Sequence, residues 1–380
     1  MKIIYISAGS IPSKRANTIQ VMKVCQSFAQ LGHAVTLLVP ATPGSAASWE
    51  LLSEHYGLKT PFEIQYIPVT PALKRRDFPW RAVGTARRLG AELIYSRSVP
   101  PAVLGLIRHI PVILEMHQQP TGTFGPTWFR LFLRQGGRKR LVPITHALAR
   151  LLQQRYRPAL PEAQVLVAAS GVDLDRFTDL PEPVSARCQL HLPECWTVVC
   201  TGHLYAGRGL NQVMDLAHRL PKVNFLWVGG SSSEVETGRD QLLKAGLKNL
   251  NLAGFVMNSK LPLYQAAANA LLIPYTPGFT NSGGEDISNV SSPMKIFEYM
   301  ASGRVVLSSD LPVLHEVLNE KNAIFCPPED NDSWELALRH LQLDPAPGQL
   351  LADQARRDAE KYSWIERSRS VLAGFIEDAK

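Results

Sequence analysis

Short apolar, β-branched runs alternate with segments of helical period along almost the whole chain, and the alternation happens twice. In the first half the runs are Ile3–Ser7, Val35–Val39, Ile64–Pro68, Leu93–Tyr95, Val112–Glu115, Leu141–Thr145 and Val165–Ala168. Runs this short and this rich in Val, Ile and Leu suit strands covered on both faces. Between the first two, Val21, Val24, Cys25, Phe28 and Leu31 recur three and four residues apart, so Thr18–Leu31 presents one apolar helix face, and Gly32 follows where a helix ends. Strand, helix and strand in that order build a parallel sheet with helices on its faces. After the Pro-rich stretch Leu180-Pro181-Glu182-Pro183 the pattern restarts, with Thr197–Thr201, Asn224–Val228, Leu250–Leu252, Leu271–Ile273, Val305–Ser308 and Ala323–Cys326. The expectation is an α/β chain of two doubly wound domains, 1–180 and 184–360, which 380 residues accommodate. Ligands of such sheets bind beyond the carboxyl ends of the strands, so a cleft across which the two domains face each other is the expected site. The last segment, Tyr362–Ala379, is amphipathic: Trp364, Ile365, Ser368, Val371, Leu372 and Phe375 share one broad face.

Composition narrows the setting. No apolar run approaches the ~18 residues of a membrane span. The start, Met1 to Ile6, meets Pro12, Lys14 and Arg15 too soon for a secretory signal and is expected to be a strand. Five scattered cysteines without a metal-type pair fit a reducing, cytoplasmic compartment. Charge is unevenly placed: residues 1–175 carry 21 Lys+Arg against 9 Asp+Glu, a net +12, and the remainder a net −5. That asymmetry points to an anionic partner of the first half. No nucleic-acid motif accompanies it, so no nucleic acid is expected. Two segments interleave basic with apolar residues: Leu73 to Arg81, and Trp128 to Arg134 continuing to Arg138-Lys139-Arg140. Such segments suit an anionic membrane surface, and a peripheral position on the inner face of the membrane is the corresponding expectation.

Three segments carry chemistry. In Ser291-Ser292-Pro293-Met294-Lys295-Ile296-Phe297-Glu298-Tyr299-Met300-Ala301-Ser302-Gly303, Pro293 suits the first helical position and Ser292 the N-cap. The helix start then offers amides and the Lys295 ammonium to a phosphate, and Glu298, three residues on, shares the Lys295 face. Gly202 to Gly209 follows a strand and precedes a helix, with Arg208 able to fork onto phosphate oxygens. Ser170-Gly171-Val172-Asp173 makes a tight turn in which Asp173 can cap the next turn. Each alone is also explained by an ordinary turn or surface helix.

In this order and spacing the three segments resemble the retaining glycosyltransferases of family 4, which have the GT-B fold of two Rossmann-like domains, and the resemblance spans nearly the whole chain. Ser170 to Asp173 with Phe177 is similar to an N-G-V-D-x-x-x-F signature, Gly202 to Gly209 to the donor loop, and Ser292 to Gly303 to the nucleotide-sugar helix. The resemblance implies transfer of a sugar from a nucleoside-diphosphate sugar, the co-substrate, to an acceptor that is lipid-linked or anionic. It implies that Gly202, His203, Arg208, Ser292, Lys295 and Glu298 bind the donor, with Glu298 on the ribose and Arg208 on the diphosphate. It places Arg15, Asn17 and Gln20 in the loop toward the acceptor and His117 at the reacting sugar, and it implies that the last helix, 361–380, crosses back to the first domain. His117, Arg208 and Lys295 are the expected catalytic groups. Two departures concern the sugar: Val290 stands where the family often has a first glutamate, with Glu285 and Asp286 as the expected substitutes, and His203 stands where an arginine is common. No Asp-x-Asp and no metal-ligand cluster is visible, so neither a metal nor another cofactor is expected; Arg208, Lys295 and the helix start would balance the leaving diphosphate instead. Two rivals remain at this stage: a nucleotide-sugar epimerase on the same fold, and a non-catalytic sugar-nucleotide-binding subunit.

Overall fold

The computed structural model describes residues 1–41, 47–73 and 75–374. Phe375 of the expected last-helix face and Lys74 of the first basic segment lie outside the described residues. The chain divides into two compact units. One is Met1–Ser170 together with the segment from Trp364 onward, and the other is Gly171–Ser363. The division falls earlier than the Pro-rich stretch, where instead a short helix, Pro183–Gln189, begins.

The first unit holds six parallel strands, β1 (Lys2–Ile6), β2 (Ala34–Pro40), β3 (Glu63–Ile67), β4 (Leu93–Ser96), β5 (Val112–Met116) and β6 (Lys139–Pro143), in the order β3-β2-β1-β4-β5-β6. The helix Ala16–Gln30 links β1 to β2 and stops at Gly32, whose φ of +83° is the left-handed end that glycine adopts freely. Val21, Val24, Cys25 and Phe28 are buried on it as the spacing predicts.

The second unit repeats the winding with β7 (Thr197–Thr201), β8 (Asn224–Val228), β9 (Leu250–Gly254), β10 (Ala270–Ile273), β11 (Val305–Ser309) and β12 (Ile324–Cys326), in the order β12-β11-β10-β7-β8-β9. Counted from its own first strand this is the same arrangement. Trp227, Phe225, Trp334, Leu272 and Leu307 form the centre of its core. In each sheet the order reverses once, between β1 and β4 and between β7 and β10. Those reversals open crevices at the carboxyl ends of the strands.

Two expectations change. Val165–Ala168 is no strand: it runs beside β6, with Leu166 N–H donating to Leu141 O (3.0 Å) and Ala168 N–H to Pro143 O (3.0 Å), but only one bridge forms, Leu141 with Val165. The return bond of a parallel ladder would come from residue 143, and proline has no N–H to give. The sixth strand also starts earlier than the apolar run suggests. Lys139 lies buried in it because its ammonium donates to the carbonyls of Phe132 (2.9 Å), Leu133 (2.8 Å) and Gln135 (2.5 Å), closing the end of the helix Gly125–Arg134.

Candidate functional site

In the second unit the candidate residues leave β7 and β10, the strands that flank the reversal. The loop after β7 runs from Gly202 to Gly209 into the helix Leu210–Arg219. Gly207 and Gly209 have φ of +75° and +92°, and a Cβ on Gly209 would stand 2.0 Å from the Pro274 carbonyl oxygen, one on Gly207 2.6 Å from Phe279 Cα. Only glycine lets this loop lie against the segment after β10. Arg208 emerges between the two glycines, its guanidinium 4.7 Å over both the Tyr275 and Phe279 rings, and donates to Thr280 O at 2.9 Å. Its Nε is buried without a hydrogen-bond partner.

Lys295 comes from the helix Met294–Ala301 and brings its ammonium 4.7 Å over the same Tyr275 ring. It passes beside Gly202, where a Cβ would meet Nζ at 3.6 Å, and its polar neighbour is the Cys200 thiol at 4.0 Å. Tyr299 anchors this helix to the end of β7: its hydroxyl accepts from Thr201 N–H at 2.7 Å and donates to Thr201 Oγ1 at 3.1 Å. Two cations therefore flank one buried ring, and among the described residues neither has a carboxylate partner. Cation–π attraction of about 0.5–2 kcal/mol holds each in place without neutralising it.

The helix start differs from expectation. Ser292 is not the N-cap; Pro293 is, with φ −65° and ψ 126°. Proline's fixed φ fits either position, and here ψ keeps it extended, so its carbonyl accepts the first-turn bond from Ile296 N–H (3.1 Å) while Ser292 lies buried just before it. Glu298 is half-buried and accepts from Gln265 Nε2 at 3.2 Å; Gln265 itself is fully buried. His203 stacks on Tyr205 at 4.7 Å and its Nδ1 lies 3.1 Å from Glu234 Oε2, which ties the loop after β7 to the capped start of the helix Ser232–Lys244. Glu285 sits in a hairpin closed by a Thr280–Asp286 bridge and accepts from Asn281 Nδ2 at 2.9 Å. The same Thr280 carbonyl receives Arg208, so the hairpin adjoins the cation site; Val290 is buried behind it. The Ser170 to Phe177 segment is structural: Val172 N–H bonds Tyr362 O at 3.0 Å, and Asp173 precedes a single 3-10 turn without a side-chain cap.

The first unit gathers a different set. Glu115 and His117 alternate at the end of β5 and so lie on one side. His117 Nε2 is 2.5 Å from Glu115 Oε1, and Gln20 Nε2 donates to the same oxygen at 2.9 Å. Tyr95 donates to Oε2, as does Arg367 at 2.8 Å from the helix Trp364–Leu372. Arg97 stands 4.0 Å from Oε1 and donates to Asn17 O at 2.8 Å. Glu115 is completely buried, which would raise its pKa, but Arg367, His117 and Arg97 hold it well below the usual carboxylate range. Burial first, then the charge of Arg97, push His117 down to about 4, against the pull of Glu115. Of the expected acceptor-side residues, Gln20 joins this cluster, Asn17 touches it through its carbonyl, and Arg15 is exposed at the helix start.

Sequence reasoning passed over Tyr275, Gln265, Tyr95, Arg97 and Arg367, and used Glu115 only as a neighbour of His117. A glutamate inside the apolar run Val112 to Met116 was a usable signal, since a charge buried in a strand requires a partner.

The basic and apolar segments divide. Phe78, Phe129, Phe132 and Leu133 are core, and Arg140 donates to Val371 O (2.6 Å) and Ala373 O (2.9 Å) at the end of the last helix, so neither it nor Lys139 faces outward as a free charge. Trp80, Leu131 and Phe124 remain exposed, Trp80 edge-on to Trp128 at 5.9 Å, with Arg76, Arg130 and Arg134 exposed among them.

Two family models match, one in each half: Glycosyltransferase Family 4 over residues 18–176 and Glycosyl transferases group 1 over residues 196–344. Phosphatidyl-myo-inositol mannosyltransferase of Mycobacterium tuberculosis is 25% identical over 307 residues, 79% of this chain and 75% of its own. Alpha-galactosylglucosyldiacylglycerol synthase of Streptococcus pneumoniae is 25% identical over 211 residues, 54% of this chain and 52% of its own. Among solved structures, HepE of Anabaena in complex with UDP-glucose superposes with a TM-score of 0.75 at 16% identity, covering 98% of both chains. Sucrose-phosphate synthase of Thermosynechococcus elongatus superposes with a TM-score of 0.79 at 16% identity, covering 100% of both. The fold is GT-B.

Proposed function

The chain belongs to glycosyltransferase family 4, and from that premise we propose that it transfers a sugar from a nucleoside-diphosphate sugar to a lipid-borne acceptor, with retention of anomeric configuration and without a metal ion. The observation that carries the donor half is the pair of cations, Arg208 and Lys295, over Tyr275 with no carboxylate among the described residues to balance them. A diphosphate brings the missing negative charge, and as the glycosidic bond breaks that charge grows, so preorganised cations stabilise the transition state more than the ground state. Two fixed cations serve this purpose without a divalent ion. Glu298, held by Gln265, has the acceptor geometry for a ribose diol. The solved HepE structures hold UDP and UDP-glucose, which supports a donor of this class.

The acceptor half rests on the first unit and on its relatives. The names of the curated relatives describe enzymes of phosphatidylinositol and diacylglycerol glycosylation. Exposed Trp80, Phe124 and Leu131 among exposed arginines suit the headgroup region of an anionic bilayer, each basic residue there contributing about 1 kcal/mol. No helix among the described residues is long and apolar enough to cross a membrane, so attachment by this surface would be peripheral. Retention follows the family resemblance.

A thermal-shift screen of nucleotide sugars, followed by turnover of the stabilising donor with chelator present, tests the donor half. An absolute need for a divalent ion removes the metal-free mechanism, and an inverted anomeric proton coupling in the product removes retention. Sedimentation with vesicles tests the rest: pelleting with anionic but not neutral vesicles, weakened by salt, is expected, and no pelleting with anionic vesicles at low salt excludes the peripheral reading.

A further inference from the structure

The Glu115 carboxylate divides its two oxygens between two tasks. Oε2 receives the Tyr95 hydroxyl and Arg367 Nη2, and Oε1 faces Gln20 Nε2 at 2.9 Å and His117 Nε2 at 2.5 Å. Arg367 is itself fixed, donating through Nε to Ala169 O (2.6 Å) and through Nη2 to Ala168 O (3.2 Å), on a helix whose Ser368 hydroxyl meets Ser27 at 2.5 Å. An ionised carboxylate accepts and cannot donate. A neutral imidazole against Oε1 therefore carries its proton on Nε2, and Nδ1 is left with its lone pair. The Gln20 amide, 3.2 Å from His117 Nε2, is also a donor; it shares the oxygen with the ring and crowds it into place.

We infer that Arg367 is a positioning residue for His117: by pairing with one oxygen of Glu115 it keeps the carboxylate ionised, commits the other oxygen to the His117 Nε2–H, and so presents Nδ1 as a hydrogen-bond acceptor for a substrate hydroxyl. The substrate clause rests on the glycosyltransferase reading; the tautomer does not. Without the Arg367 cation a carboxyl this deeply buried takes up a proton. A protonated Oε1 donates to Nε2, the ring proton moves to Nδ1, and Nδ1 changes from acceptor to donor. No packing contact of Arg367 with substrate is required for this, since the effect passes through Glu115.

The charged and titratable groups around the imidazole are Glu115 on β5, Arg97 and Tyr95 on and after β4, Arg367 on the last helix and, behind Tyr95 at 4.9 Å between rings, Tyr5 on β1. The two cations disfavour ring protonation and Glu115 favours it. In a variant without Arg367 the pull of Glu115 on the ring is lost once that carboxyl is protonated, so the titration falls, whereas a general loosening of the fold would relieve burial and raise it.

The test uses the full chain with 15N-labelled histidine, free of substrate, with His117 assigned by comparison with His117→Asn. The wild type should show the Nε2–H tautomer and a ring that titrates near 4, well below its ordinary 6.5. Arg367→Gln should bring in the Nδ1–H form and, because Glu115 is then protonated and no longer favours the imidazolium, move the ring titration further down. Arg367→Lys, which keeps the charge, should restore the wild-type tautomer and titration, and Glu115→Gln should move the titration further down. An Nδ1–H tautomer in the wild type, or an unchanged ring in Arg367→Gln, overturns the proposal. Should Arg367→Gln not fold, Glu115→Gln decides: a titration that stays in place or rises overturns it equally. The expected spectra together with no turnover of any nucleotide sugar would leave the positioning of His117 intact and remove the glycosyltransferase reading of its partner.

Discussion

The two units wind their strands in the same order yet treat buried charge in opposite ways. In the first, a carboxylate has donors on both of its oxygens: Glu115 receives Arg367, Tyr95, Gln20 and His117. In the second, Arg208 and Lys295 share the face of Tyr275 and have only a carbonyl and a thiol as polar neighbours. A closed cluster contributes to folding and sets the geometry of the residue at its edge, here His117. An open one leaves an electrostatic deficit for a ligand to complete, at a cost to the free protein. On the function proposed above, the open cluster is the one that takes up the donor's charge.

The comparison breaks first on stability. Glu115→Ala leaves Arg367 buried without its partner and should destabilise the protein by about 3–5 kcal/mol, read as the urea midpoint; a loss below about 1 kcal/mol would mean that the first cluster is not closed at all. Next comes turnover. Arg208→Ala should lower kcat by about 10²–10³-fold, the usual cost of removing one donor from a charge-stabilising site. Donor affinity should fall less, and equal losses in both would place Arg208 in ground-state binding only. Glu298→Ala should weaken donor binding by about one to two decades, roughly 1.5–3 kcal/mol for a charged hydrogen bond; calorimetry with an unchanged dissociation constant would take Glu298 out of the site. The smallest effect sharpens the contrast most. Lys295→Met removes a buried cation that has no counter-ion to orphan, so thermal unfolding should show no loss of stability, or a gain of about 1 kcal/mol, while donor binding is lost. A destabilisation comparable to that of Glu115→Ala would show that the second cluster is closed too.

Most of the strands were legible because a parallel sheet covered on both faces leaves uninterrupted apolar runs, as in Thr197–Thr201 and Asn224–Val228, whose ends match the observed strands. Where reading failed, a single backbone or charge effect intervened. Pro143 denied Val165–Ala168 its ladder, and Lys139 entered β6 because three carbonyls received its ammonium. Proline's φ could not say whether Pro293 or Ser292 begins the helix. Gly202, Arg208 and Lys295 were singled out through their motifs, and the structure sets the two cations over Tyr275 with Gly202 beside Lys295. Tyr275 itself has no motif, and its position follows only from where β10 falls in the sheet. Arg367 was out of reach for a different reason. It meets Glu115 across 252 residues of sequence, and no periodicity reports a pairing at that distance.

That distance has a consequence in time. During synthesis the first unit emerges through Ser170, but the arginine that pairs with Glu115 Oε2 is on a helix that starts at Trp364, after the whole of the second unit. At about 5–20 residues per second, roughly 10–40 s pass in which the nascent first unit holds a buried acidic group without that arginine and an exposed groove along the helix Ala16–Gln30. A ribosome-bound chain ending before residue 364 should therefore be more open to protease at this sheet than the released protein.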